Sequence, residues 1–166
     1  FVFKGGTCLT KAYFGYYRFS EDLDFTWINT KKFANLSKNK VRKQLSSEIN
    51  HLMTIFEKTA KEMKMDFKPT KSDKHYVQLG GSNRFVTFKF WYDSTVSETN
   101  TFIKIQINFI EKIKYPIKIH TLKPLCIEYT KELNAIYPEN GRLATQPAKL
   151  KAYDLKEIAA EKIRAI

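Results

Sequence analysis

From Ser37 to Met65 the apolar residues Val41, Leu45, Ile49, Leu52, Phe56, Ala60 and Met63 recur every three or four positions. That spacing predicts one long amphipathic helix with a basic outer face. Elsewhere the period is two. Thr101 to Ile110 alternates, with Ile103, Ile105, Ile107 and Phe109 on one side and Lys104, Gln106 and Asn108 on the other. Further strands are predicted near Tyr76 to Leu79 and Arg84 to Tyr92, with Gly80-Gly81-Ser82-Asn83 as the hairpin turn between them.

The flanks are less regular. Phe1 to Phe3 read as the end of a buried strand, Leu9 to Tyr17 as a short helix and Arg18 to Trp27 as a returning strand. Lys68 to Lys74 is a polar break. Residues 112–130 add a short strand or two, and a loop with Pro138, Gly141 and Pro147 leads into a last helix from about Leu155. No internal repeat is visible. The fold class is α+β, a mixed or antiparallel sheet packed against helices.

At 166 residues the chain reads as one domain, long enough to bury a core. It opens with Phe inside an apolar segment and stops at Ile166 within an apparent helix, so it reads as part of a longer protein with more helix beyond 166. Hydrophobic residues at 43% and aromatics at 14% exclude a disordered chain. Twenty-nine Lys and Arg against seventeen Asp and Glu give a formal +12, which attracts polyanions: nucleotides, nucleic acid or an anionic surface. The plainer reading is a lysine-rich surface that stays soluble. Cys8 and Cys126 form no disulfide or metal-ligand spacing, which suits a reducing cytoplasmic setting. No apolar run reaches the length of a membrane span, and no leader pattern is present.

The stretch FKGGTCLTKAYFGYYRFSEDLDF, from Phe3 to Phe25, concentrates the candidate chemistry. On a strand, Asp22 and Asp24 point the same way, together with Ser20 and Thr26, while Phe19, Leu23 and Phe25 point into the core. Two carboxylates that close repel unless a cation sits between them or one is protonated. Oxygen ligation by such a pair suits Mg²⁺, which completes its shell with water and phosphate oxygens. Gly5, Gly6 and Thr7 would offer backbone N–H groups and a hydroxyl to those phosphates, and Lys4 and Arg18 add positive charge. Taken singly, a Gly-Gly pair is most often a tight turn and an Asp-x-Asp most often a surface loop.

FKGGTCL followed by RFSEDLDF resembles the signature of the AbiEii/AbiGii-type nucleotidyltransferases, relatives of the MenT toxins within the polymerase-beta-like superfamily. The resemblance implies the polymerase-beta-like nucleotidyltransferase fold over 1–166, with NTP and Mg²⁺ as ligands and a cognate antitoxin as partner. It implies that Asp22 and Asp24 hold metal and that Gly5, Gly6 and Thr7 hold the triphosphate. Such proteins place a third carboxylate on a strand beside the Asp-x-Asp strand, and this chain has Gln106 there. Glutamine orients a ligand but accepts no proton as a carboxylate does. Lys104 with Asn108 fits the family's loose Lys-x-x-x motif; a plain wet sheet face explains the same alternation.

In the last helix, Asp154 and Glu157 stand in capping-box spacing. Leu155, Ile158, Ala159, Lys162 and Ile166 fall on one side, which predicts that Lys162 lies on the inward stripe. The plain reading is a snorkelling lysine. DLKEIAAEKIRA resembles the family motif whose lysine contacts nucleotide phosphates, which makes Lys162 a catalytic candidate. The implied reaction is transfer of a nucleoside monophosphate from NTP to an acceptor, with pyrophosphate released. The implied acceptor is RNA, a tRNA 3′ end, and the surplus of positive charge on the long helix agrees with it. Two rivals remain: an inactive relative that only binds nucleic acid, and a transferase for a protein or small molecule.

Overall fold

The computed structural model describes residues 1–15, 22–94, 101–124, 130–138 and 145–164. Its residues form two compact units. One holds Phe1 with Glu21–Lys112, and the other holds Val2–Ser20 with Ile113–Ile166.

The first unit is a sheet backed by one helix. Its strands are β2 (Asp22–Thr26), β3 (Val77–Gly80), β4 (Phe85–Tyr92) and β5 (Thr101–Asn108), in the order β3-β4-β5-β2. The pairs β3–β4 and β4–β5 are antiparallel, and β2–β5 is parallel. The period-two pattern sorts the side chains as expected. Leu23 pairs with Ile105, Phe25 with Ile107, Val86 with Ile107 and Phe88 with Ile105, all toward the core.

Helix α2 (Lys38–Glu62) covers that apolar face with Leu45, Ile49, Leu52, Met53 and Ala60 buried. Each large side chain fully buried this way contributes about 1.5–3 kcal/mol. Aromatic rings finish the contact. Phe56 meets Phe88 and Phe90 edge-on at 5.0 and 5.4 Å, and Phe67 stacks on Phe90 at 4.7 Å. Ser37 caps the helix by accepting from Lys40 N at 3.4 Å. The helix ends three residues earlier than its pattern predicts, and Met63 is exposed.

Gly80 belongs to β3, so the hairpin connection is Gly81 to Arg84. Gly81, Ser82 and Asn83 have φ of 54°, 58° and 72°. A Cβ on Gly81 would stand 3.0 Å from the Phe85 ring, so glycine answers both the backbone and the space.

The second unit draws on both ends of the sequence. Strands β1 (Val2–Lys4), β6 (Lys118–Leu122) and β7 (Ala148–Ala152) run in the order β1-β7-β6, with β1–β7 parallel and β6–β7 antiparallel. Helix α1 (Gly5–Cys8) continues as a π-helical turn, Leu9–Phe14, and α3 (Thr130–Ile136) and α4 (Leu155–Arg164) follow. Its buried centre includes Val2, Phe3, Cys8, Tyr153 and Ile158.

Two expectations are corrected. Helix begins at Gly5 rather than Leu9 and ends by Phe14, because Gly5 takes φ 75° directly off β1. The 130–154 stretch is not all loop: it contains α3 and β7. Residues 112–124 contain one strand, β6, within the one or two expected.

Candidate functional site

Of the residues singled out from sequence, Asp22, Asp24, Lys104 and Gln106 lie in the first unit. Lys4, Gly5, Gly6, Thr7 and Lys162 lie in the second. Arg18 and Ser20 lie outside the described residues.

In the first unit, packing on one sheet face leaves the other to polar groups. The parallel register sets Asp22 beside Lys104, Asp24 beside Gln106 and Thr26 beside Asn108. Gln106 therefore occupies the strand position flanking the Asp-x-Asp pair. Asp22 Oδ2 lies 2.9 Å from Lys104 Nζ. Gln106 Nε2 donates to Thr87 Oγ1 of β4 at 3.4 Å, so its amide is anchored away from β2.

The donor set of this face suits a hard divalent cation. Asp22 and Asp24 supply two carboxylates, and Mg²⁺ binds through one or two carboxylates while keeping water and phosphate oxygens. Among the described residues no group of three or more His, Cys, Asp or Glu side chains forms a closed metal site. A third carboxylate that the sequence reading passed over, Glu111, follows β5. Its Oε2 accepts from Thr26 Oγ1 at 2.8 Å and from Asn108 Nδ2 at 3.3 Å. Only the strand register could have placed it there, since it sits outside every motif.

In the second unit, Gly5, Gly6 and Thr7 form the first turn of α1, where backbone N–H groups lack intrahelical acceptors. All three are buried, and Thr10 Oγ1 donates to Thr7 O at 2.9 Å. Lys4, expected to add charge for phosphate, makes an ion pair: its Nζ lies 2.9 Å from Glu161 Oε1 and 5.6 Å from the Tyr153 ring centre. Both side chains are largely enclosed, at 16% and 17% exposure, so this pair ties β1 to α4.

Helix α4 is turned from the face its apolar pattern predicts. Glu157 and Ile158 are buried, whereas Leu155, Ala159 and Lys162 are exposed. The reason is polar. Glu157 Oε2 accepts Lys114 N and Tyr115 N at 2.9 Å each, and Glu161 holds Lys4. Those contacts outweigh burial of the small Ala159 side chain. The capping box is accordingly only half formed: Asp154 Oδ1 accepts Lys156 N at 3.0 Å, but Glu157 is committed elsewhere.

Tyr13 bridges the unit, donating to Tyr153 O and lying 3.2 Å from His120 Nε2. Burial, with the Asp154 carboxylate adding to it, pushes its hydroxyl up to about 12. Burial likewise pushes the Cys8 thiol up to about 12, which makes it an inert core residue rather than a nucleophile.

A basic cleft lies at the start of α2, ≈ 400 Å³, lined by Asn39, Arg42, Lys43, Ser46 and Asn83. Lys71 Nζ reaches Ser46 O and Oγ at 2.8 and 2.7 Å, and burial lowers its pKa. Among the described residues no ion pair engages Lys38, Lys40, Arg42 or Lys43. Further along, Lys58 and Lys61 pair with Glu62 and Glu57 at 3.9 and 3.0 Å. No helix among the described residues is long and apolar enough to cross a membrane.

Residues 1–166 match the family model described as "Nucleotidyl transferase AbiEii toxin, Type IV TA system". No curated protein and no solved structure matches the chain.

Proposed function

The chain belongs to the AbiEii nucleotidyl transferase toxin family, and from that premise we propose that it transfers a nucleoside monophosphate from an NTP to RNA, specifically to a tRNA 3′ end. The observation that carries the reading is the β2–β5 register, which lines Asp22 and Asp24 along one polar face with Lys104 and Gln106 beside them. A type IV toxin–antitoxin family name implies a cognate antitoxin as a further partner.

In this reading Asp22 and Asp24 are the metal ligands, and Mg²⁺ supplies charge neutralisation and alignment of the triphosphate. The first-turn amides of Gly5, Gly6 and Thr7 bind phosphate oxygens, and Arg18 and Ser20 belong to the same nucleotide site. Lys104 exchanges Asp22 for phosphate, and Lys162 meets charge that develops as pyrophosphate leaves. Lys4, which pairs with Glu161 and fixes β1 against α4, adds positive charge to the phosphate site. The acceptor oxygen forms a bond to the α-phosphorus as the bond to the β-phosphate oxygen breaks, and pyrophosphate leaves with that electron pair. Gln106 accepts no proton, so the hydroxyl proton passes to water or to a carboxylate outside this strand. Rate then comes mainly from positioning and electrostatics.

The test is to incubate the full-length protein with each labelled NTP, Mg²⁺ and total RNA. Label on RNA that requires Mg²⁺ supports the reading, and its position identifies the acceptor end. Label confined to protein or small molecules replaces RNA as acceptor. RNA binding with no label anywhere makes the protein an inactive relative, the outcome that Gln106 favours.

A further inference from the structure

The face that carries Asp22 and Asp24 continues across β5 onto β4. In one row Lys89 of β4 stands directly opposite Lys104 of β5, with Asp22 on the far side of Lys104. Like charges directly opposite one another destabilise a sheet. Asp22 offsets Lys104 at 2.9 Å. Lys89 has only the Phe102 ring, 5.3 Å from Nζ to its centre, and no carboxylate among the described residues. An anion bound over this row would remove the repulsion.

In the next row on the same face, Trp91 pairs with Phe102, their ring centres 4.7 Å apart. His75 lies parallel on Trp91 at 4.1 Å and 3°, and Trp91 Nε1 donates to His75 O at 3.0 Å. The stack is thus fixed by a hydrogen bond as well as by ring contact. His75 is exposed, while Trp91, Phe102 and Lys89 are half-buried. Aromatic, then cationic, then carboxylate and amide: the rows follow the layout of a nucleotide from base to metal-bound phosphate. At about 3.3 Å per strand residue, Phe102 stands about 7 Å from Lys104 and 13 Å from Gln106 along β5.

We propose, resting on the nucleotide-transfer reading above, that this corner is a nucleotide subsite in which Lys89 joins Lys104 on phosphate and the His75–Trp91–Phe102 rings stack the nucleobase. The base belongs either to the incoming NTP or to the terminal nucleotide of the acceptor RNA, and the two are separable by experiment.

Trp27 is enclosed in the core at 8% exposure, and a ligand-dependent change in tryptophan emission that is lost in Trp91→Phe reports Trp91. Full-length wild-type protein is titrated with each NTP, with inorganic tripolyphosphate and with a short single-stranded RNA, all with Mg²⁺. NTP is expected to quench emission, and tripolyphosphate to compete with it without quenching. Phe102→Leu should weaken NTP binding about tenfold and leave tripolyphosphate unchanged, since stacking acts on the base alone. Lys89→Met should weaken both about tenfold. Quenching by RNA without NTP assigns the base to the acceptor. Emission unchanged by NTP and by RNA, or Lys89→Met binding tripolyphosphate like wild type, overturns the proposal. Binding is read without turnover, so a protein that quenches normally but labels no acceptor fails the transfer reading and keeps this one.

Discussion

Lys104 Nζ holds Asp22 Oδ2 at 2.9 Å across the parallel β2–β5 pair. The ammonium thus lies against the carboxylate that the proposed metal would need. With 30% and 43% of the two side chains exposed, the pair adds only about 0–1 kcal/mol to stability. A metal at Asp22 competes with Lys104 for the carboxylate, and a lysine freed in this way is available to phosphate.

Asp22→Ala and Asp24→Ala are therefore expected to abolish label transfer while leaving the thermal midpoint within a few degrees of wild type. Lys104→Met should tighten Mn²⁺ binding in the absence of nucleotide, because the competing ammonium is gone. A titration showing no gain for Lys104→Met, or normal turnover by Asp24→Ala, contradicts the assignment.

Lys162 is exposed on α4 and carries no packing role. Lys162→Met should leave the denaturation midpoint unchanged and lower turnover about a hundredfold, if its charge meets the triphosphate. Unchanged turnover would reduce it to a solvated surface residue.

The unpaired cations at the start of α2 make a separable prediction. Simultaneous charge reversal at Lys40, Arg42 and Lys43 should weaken RNA binding and spare NTP binding. For wild type, the logarithm of affinity should fall linearly with the logarithm of salt, by about 0.7–0.9 per phosphate contacted. A flat response between about 50 and 200 mM salt would leave this helix face merely hydrated.

Alkaline stability tests the buried hydroxyls. Tyr76 donates to Asp66 Oδ2 at 2.7 Å, and that hydrogen bond, with burial, pushes its pKa up to about 12. Tyr13 is also pushed up to about 12. In both, folding favours the protonated form, so the unfolded chain releases its protons first, near pH 10. Their contribution is complete below that pH and lost as pH rises toward 12. Thermal midpoints measured from pH 8 upward should fall above pH 10, and less steeply in Tyr76→Phe.

Glu157 offers a test read in stability alone. Removing its carboxylate in Glu157→Ala strands the amides of Lys114 and Tyr115, at a cost of about 2–4 kcal/mol. Glu157→Gln keeps an acceptor oxygen and should recover most of that in a urea melt.

What the sequence made legible follows from periodicity. The apolar rhythm of α2 and the strict alternation of Ile103, Ile105 and Ile107 identified the first unit's layers and the face on which Lys104 and Gln106 lie. Gly5-Gly6-Thr7 and Asp22-x-Asp24 were visible as motifs, but their neighbours were not. Strand β7 escaped because Ala148 to Ala152 is mostly exposed and contains no β-branched or aromatic residue. It is a strand because β1 and β6 pair with it, which is tertiary information. The facing of α4 was misjudged for a related reason. A period-3.6 stripe cannot show that two glutamates find better partners inward than an alanine does. Glu111 and Lys89 acquire their settings only from register across strands far apart in sequence.

The pairing of Phe3 with Ala152 also governs timing. A ribosome delivers β7 only about 150 residues after its partner β1, so this contact closes a very long loop. The unit built on β2, β4, β5 and α2 has all its parts once Lys112 has emerged. The unit holding Gly5, Gly6 and Thr7 does not, and must wait for β7 and α4. A nascent chain stalled before residue 148 thus carries Asp22 and Asp24 on a formed sheet, yet lacks the framework around the Gly5-Gly6-Thr7 turn. If that turn is needed for transfer, the cell that makes this protein meets its activity only after β7 and α4 have been synthesised.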